Sequence, residues 1–257
     1  MAVLEATGLT KKYRGLTAVN AYQLRIEPGK IHGLIGPNGA GKTTVFNMLT
    51  SLVKPTEGTV TFMGRDITNN RPDQIAGLGL ARTFQNIRLF KELTVLQNVM
   101  IAAQIHRGYG LMSVLLSLPS FRREEAEIHL LAETLLDAVG LTQLAGHKAR
   151  NLSYGNQRKL EIARALALKP KLLLLDEPAA GMNPNETIEL TSLIKLIRDQ
   201  YDLSILLIEH DIPFVMKLCE DIQVLSYGEL IAQGGPEEIR TNPDVIRAYL
   251  GRAAENA

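Results

Sequence analysis

Residues Gly36, Pro37, Asn38, Gly39, Ala40, Gly41, Lys42 and Thr43 follow the spacing G-x-x-x-x-G-K-[ST]. That spacing suits the holding of a polyphosphate. The glycines let backbone N–H groups converge on phosphate oxygens, and the N-terminus of a following helix adds its positive dipole end. Lys42 would reach the β- and γ-phosphates, Thr43 would offer its hydroxyl to Mg²⁺, and Thr44 completes the candidate nucleotide-binding set. A second run, 172–178, is four leucines followed by Asp176, Glu177 and Pro178. Carboxylates at the C-terminal end of a buried strand stand where open α/β sheets place their ligands. Asp176 is positioned to hold Mg²⁺, usually through water, and Glu177 to polarise an attacking water as general base. Alone, such a pair also reads as a solvated turn; beside the phosphate cradle it points to nucleoside triphosphate hydrolysis.

These groups need a parallel sheet behind them. The patterning predicts strands at 3–6, 18–26 and 31–35, a helix from 42 to about 52, and a strand at 58–63. From about 89 to 168 the period becomes helical. Thr94 caps a helix to about 105, a charged stretch runs from Ser120 to Gly140, and Ser153 precedes a helix at 156–168. Strands are expected at 172–175, 204–208 and 222–226, helices at 186–200 and 212–219, and a helical tail from 236 to about 249. Strands this apolar on both faces indicate a buried parallel sheet flanked by helices, with the helical middle inserted into it.

Composition narrows the classes. The 257 residues, 46% hydrophobic and 21% charged, make an ordinary globular chain that can bury a full core. A net charge of +1 gives no bulk pull toward nucleic acid, which is not expected as a partner. One cysteine, Cys219, excludes an intramolecular disulfide and fits a reducing compartment. His32, His106, His129 and His147 lack metal-ligand spacing. The N-terminus has no secretory pattern, and no apolar run approaches the roughly 20 residues of a spanning helix. The longest candidate, 111–118, stops at Pro119, so the chain is not expected to cross a membrane by itself.

Over essentially its whole length the sequence resembles ABC-type nucleotide-binding subunits. Gln85, in the run 82–86, matches the Q-loop glutamine, which in that family touches Mg²⁺ and the attacking water. Ser153, Tyr154, Gly155 and Asn156 sit where the signature sequence belongs, His210 matches the switch histidine that senses γ-phosphate, and Tyr13 stands where an aromatic stacks on adenine. Taken singly, Gln85 is a loop amide, His210 an isolated histidine and Tyr13 a packing residue; their order along the chain assigns the roles. The resemblance implies a P-loop NTPase of the ABC cassette type: a parallel-sheet α/β core with a small antiparallel β subdomain (1–88 and 169–235), an inserted helical subdomain (89–168) and a helical tail (236–257). The catalytic set would be Glu177, His210 and Gln85, with Thr43, Gln85 and Asp176 at the metal. Ser153 and the Gly155 N–H stand at a second helix start that would bind the ATP of a partner protomer. The family's usual Gly, Gln and Asp are replaced by Tyr154, Asn156 and Asn183.

The stretches 36–47, 82–95, 152–165, 176–184 and 242–251, with the insertion 104–124, resemble ATPase subunits of bacterial branched-chain (hydrophobic) amino-acid importers. That implies a second ATPase subunit (a copy or a paralogue), two membrane permeases and, indirectly, a periplasmic binding protein. The chain would sit on the inner face of the cell membrane. Urea-type import, lipopolysaccharide-type export and a soluble mechanoenzyme are the alternatives; one cassette without sustained heptads or a basic face argues against the last.

Overall fold

The computed structural model describes residues 1–106 and 119–255. Its strands are β1 (Leu4–Tyr13), β2 (Leu16–Ile26), β3 (Ile31–Ile35), β4 (Glu57–Phe62), β5 (Arg65–Asp66), β6 (Leu80–Arg82), β7 (Leu172–Asp176), β8 (Ser204–Ile208), β9 (Asp221–Ser226) and β10 (Glu229–Gly234). They form a four-stranded sheet in the order β2-β1-β4-β5 and a six-stranded sheet in the order β10-β9-β3-β8-β7-β6. The small sheet pairs antiparallel throughout. The large one is parallel from β9 through β6, with β10 antiparallel at its edge.

Every residue of β3, β7 and β8 is buried. Alternate side chains go to different cores. Leu173 and Leu175 join Val95, Val99 and Leu160 of the helical region, while Leu172 and Leu174 join Phe46 and the small sheet. A strand covered on both faces reads as a continuous apolar run, which is why β7 is four leucines. Each leucine so buried contributes about 1.5–3 kcal/mol.

Several elements differ from the sequence expectation. Strand β1 runs seven residues further, to Tyr13, because it pairs with β2 up to a tip where Arg14 and Gly15 take positive φ. The helix from Lys42 ends at Leu49, with Ser51 at φ 51° just beyond. Strands β5, β6 and β10 and the helix Pro72–Gly77 carry no local pattern strong enough to announce them. The tail is two helices, Pro236–Thr241 and Pro243–Glu255, since Pro243 has no N–H to continue the first. The apolar run 111–118 lies outside the described residues. Among the described residues no helix is long and apolar enough to cross a membrane. Cys219 is buried, and burial pushes its thiol up, leaving a small apolar filler.

A polar network joins the two sheets. The Tyr22 hydroxyl donates to Gln223 Oε1, and Gln223 Nε2 donates to Gln23 O at 3.1 Å and Gln233 Oε1 at 3.0 Å. Gln233 Nε2 donates to Asp221 Oδ2 at 3.1 Å, and His32 Nδ1 lies 3.2 Å from the same oxygen. The His32 contact, ahead of the smaller contributions, holds the Asp221 carboxyl below its usual range. A lowered folded-state pKa gives stability that is present above the unfolded value of about 3.9 and lost as pH falls toward the folded value. Asp221→Asn should therefore flatten the loss of thermal midpoint below about pH 4 relative to wild type. Parallel acid slopes for the two proteins would show that the pair contributes nothing.

Candidate nucleotide site

The cradle is the turn between β3 and the helix Lys42–Leu49. Gly36 has φ +149°, and a Cβ there would fall 2.0 Å from Leu225 O; Gly41 has φ +104°, and its Cβ would fall 2.6 Å from Ala18 O. No side chain fits at either position. The Lys42 ammonium is buried and donates to Gly36 O at 2.6 Å and Pro37 O at 3.0 Å, arching over the loop. A cleft of about 450 Å³ opens here, lined by Leu16, Thr17, Ala18, residues 38–44, Gln85, Glu177 and Tyr227. Cradle, Q-loop amide and Glu177, far apart in sequence, meet in one place.

At the end of β7 the two acids have different surroundings. Asp176 is 5% exposed. Its Oδ2 accepts from Arg82 Nη2 at 2.7 Å, and Arg82 Nη1 donates to Asn47 Oδ1 at 2.8 Å and Thr50 Oγ1 at 3.2 Å on the cradle helix. The guanidinium lies between the rings of Phe46 and Phe84, 5.4 and 5.3 Å from their centres. Glu177 sits at φ 46°, a left-handed conformation unusual for a residue with a side chain. Its Oε2 accepts from Gln85 Nε2 at 2.8 Å and lies 3.7 Å from His210 Nδ1.

Glu209, before the histidine, is fully buried. It accepts from Ala179 N at 2.9 Å and from His210 N at 3.0 Å, tying the loop after β7 to the loop after β8. Burial pushes its carboxyl up, while those N–H donors pull it down.

Ser153, Tyr154, Gly155 and Asn156 are not in this cleft. Ser153 caps the helix Tyr154–Leu166, its Oγ accepting from Asn156 N at 3.3 Å. Tyr13, at the tip of β1 opposite Leu16, is half-exposed beneath Lys11 Nζ and is not part of the cleft lining. Asn183 caps the helix Pro184–Tyr201 through Oδ1 to the N–H groups of Asn185 and Glu186, both at 3.0 Å.

The "ABC transporter" family model matches residues 19–180, and "Branched-chain amino acid ATP-binding cassette transporter" matches residues 229–255. The chain belongs to the ABC transporter ATP-binding family. It is an ATPase. The high-affinity branched-chain amino acid transport ATP-binding protein LivG of Salmonella typhimurium is 50% identical over 251 residues, covering 98% of each chain. Its counterpart BraF of Pseudomonas aeruginosa is 47% identical with the same coverage. Among solved structures, the ADP conformation of the ATP-binding cassette MJ1267 superposes with TM-score 0.85 at 30% identity, over 98% of this chain and 99% of that one. A dimeric post-hydrolysis state of the cassette MJ0796, bound to ADP and Pi, superposes with TM-score 0.76 at 26% identity, over 91% and 98%.

Sequence reasoning passed over Arg82, Glu209 and Arg158, which are hydrogen-bonded to Asp176, to Ala179 N and to Phe84 O. Arg82 and Glu209 adjoin named motif residues, but their partners lie up to 94 positions away. For the cradle, Gly41→Ala places a Cβ against the Ala18 carbonyl in a conformation costing about 1–2 kcal/mol for an L residue. Equilibrium ATP binding by this variant should weaken by about 5- to 30-fold, the equivalent of that strain where binding must restore the loop.

Proposed function

We propose that this chain powers import of branched-chain, hydrophobic amino acids through separate permease subunits, hydrolysing Mg-ATP as it does so. The observation that carries the catalytic reading is the convergence of Lys42, Gln85 and Glu177 on one cleft. Supporting the cargo are the named transport role of LivG and BraF and the match of 229–255 to the branched-chain family model, which favour it over urea or lipopolysaccharide.

Glu177 is the general base, re-aimed by its left-handed backbone, with Gln85 and His210 orienting the carboxylate and the attacking water. Residues 36–44 bind the phosphates and Tyr13 stacks on adenine. The Thr43 hydroxyl, the Gln85 amide oxygen and the Asp176 oxygen not held by Arg82 would supply oxygen donors of the kind that suits Mg²⁺. That ion would neutralise charge on the phosphates.

Two cassettes close head to tail, so that Ser153, Tyr154, Gly155 and Asn156 of one cap the ATP held by Lys42 of the other. The separation of signature and cradle on one chain supports this, as does the dimeric relative. The partner is a copy or a paralogue, and residues 89–168 form the helical arm on the α/β core of 1–88 and 169–235, with 236–257 as the tail. The assembly lies on the inner face of the membrane, served indirectly by an extracytoplasmic binding protein.

Lys42→Ala should weaken nucleotide binding and abolish turnover. Glu177→Gln should keep ATP affinity and lose on the order of 10²-fold in rate. Phosphate release and ATP binding on both proteins decide the assignment, and a Glu177→Gln protein turning over normally would sink it.

The arm also carries the permease contact. Phe90 is 46% exposed under the Arg164 guanidinium, 5.1 Å from its ring centre. Beside it a cleft of about 520 Å³ is lined by Phe84, Arg88, Ile101, Ile105 and Arg164 among others. An exposed apolar patch of this kind marks a partner site. Phe90→Asp should leave the ATPase of the isolated chain nearly intact while abolishing co-purification with permeases and amino-acid uptake. Undiminished permease binding and uptake would move the contact elsewhere.

A further inference from the structure

Arg158 heads the large side chains that are wholly buried among the described residues. It lies in the second turn of the helix Tyr154–Leu166, yet its guanidinium serves the Q-loop backbone. Nη1 donates to Phe84 O at 2.8 Å and Nη2 to Gln85 O at 3.0 Å. Nη1 also pairs with Glu161 Oε2 at 2.6 Å, and the other Glu161 oxygen accepts from Phe84 N at 3.2 Å. One helix thus holds both polar groups of the Phe84 backbone and the Gln85 carbonyl. The side chain of that same Gln85 donates to Glu177.

The same guanidinium reaches back to the signature turn. Arg158 Nη2 donates to the Tyr154 hydroxyl at 3.3 Å, and the Tyr154 ring lies 3.6 Å from where a Cβ on Gly181 would be, in the loop after the acid pair. Tyr154 replaces the glycine usual there, and it sets a ring beside the Gly181 loop and a hydroxyl on Arg158.

A buried ion pair is a poor source of stability, because desolvation offsets its attraction and an apolar pair of similar volume packs as well. Leucines in these places could fill the space. They could not accept one N–H and donate to two carbonyls of an irregular loop. Burial pushes the Glu161 carboxyl up, opposed first by Arg158 and then by the Phe84 N–H, so the carboxylate depends on the arrangement it holds.

We propose that Arg158, supported by Glu161, is a positioning residue that sets Gln85 against Glu177 and ties that placement to the Ser153–Asn156 turn. An anion engaged by the turn is then sensed at the catalytic carboxylate through one rigid helix. The inference rests on the reading of Gln85 and Glu177 given above.

A double-mutant cycle on the purified full-length chain tests it, with kcat and KM for ATP measured on Arg158→Met, Arg158→Lys, Gln85→Ala and the Arg158→Met/Gln85→Ala combination. Arg158→Met should lower kcat by about 10- to 100-fold, the scale for a misplaced catalytic group. KM should stay within about twofold, because the cradle is untouched. Arg158→Lys should fall similarly, since one ammonium cannot reproduce the planar fork. The combination should be no slower than Gln85→Ala alone. If Arg158→Met does not fold, Glu161→Gln, nearly the same shape, takes its place in the cycle. Full activity in Arg158→Met and Arg158→Lys beside an impaired Gln85→Ala overturns the inference, as do additive losses in the combination. A Gln85→Ala protein with wild-type kcat overturns the underlying reading of Gln85, and with it the inference.

Discussion

Three carboxylates, Asp176, Glu177 and Glu209, stand at the carboxyl ends of the adjacent parallel strands β7 and β8. Two unit charges about 4 Å apart repel by roughly 4 kcal/mol at an effective dielectric constant near 20, and a bound triphosphate adds more negative charge. The surrounding structure answers that repulsion one group at a time. Asp176 has a guanidinium, Glu177 a side-chain amide with an imidazole near it, and Glu209 the N–H groups of two loops. The three solutions differ in kind. The arginine meets Asp176 with a full opposite charge, whereas the amide holds Glu177 by a neutral hydrogen bond.

Getting these groups to one edge requires unfavourable backbone. Glu177 at φ 46° carries strain on the order of 1–3 kcal/mol, which persists only where the surroundings over-determine it. Here they do. The Glu177 N–H donates to Ile208 O at 2.9 Å across to β8, and Ala180 N donates back to Glu177 O at 3.2 Å. Gly36 and Gly41 solve the opposite problem, letting the chain pass so close to the Leu225 and Ala18 carbonyls that any Cβ would collide. Strain at Glu177 aims a side chain; its absence at the two glycines makes room for backbone.

What the sequence made legible was local. The eight-residue cradle, the leucine run ending in two acids and the Ser153 cap each declare themselves within a dozen residues, because their function is a backbone geometry that composition dictates. Strand β6 is three residues long, and β10 is an edge strand whose residues are half-exposed or exposed, so neither has a periodicity to read. The arginines were invisible for a different reason. Arg82 meets Asp176 across 94 positions and Arg158 meets Phe84 across 74, and nothing in either local stretch distinguishes a buried bridging arginine from a solvated one. The motif residues could be read from the chain, and the groups that hydrogen-bond to them only from the fold.

The departures from the family's usual residues follow from the same electrostatics. At 183 an amide stands where a carboxylate is common, on the loop that leaves the acid pair. As a helix cap the exchange is nearly neutral, because asparagine and aspartate are about equally good acceptors for the first N–H groups of a helix. The box is complete here, with Glu186 Oε2 accepting from Asn183 N at 3.0 Å. What the amide removes is a fourth negative charge from a stretch that already carries two and lies against a third. Tyr154 is the reciprocal case. Replacing glycine, it brings a ring against Gly181 and a hydroxyl to Arg158, contacts that a glycine cannot make. One loop thus carries less charge, and its neighbour carries a ring and a hydroxyl in its place.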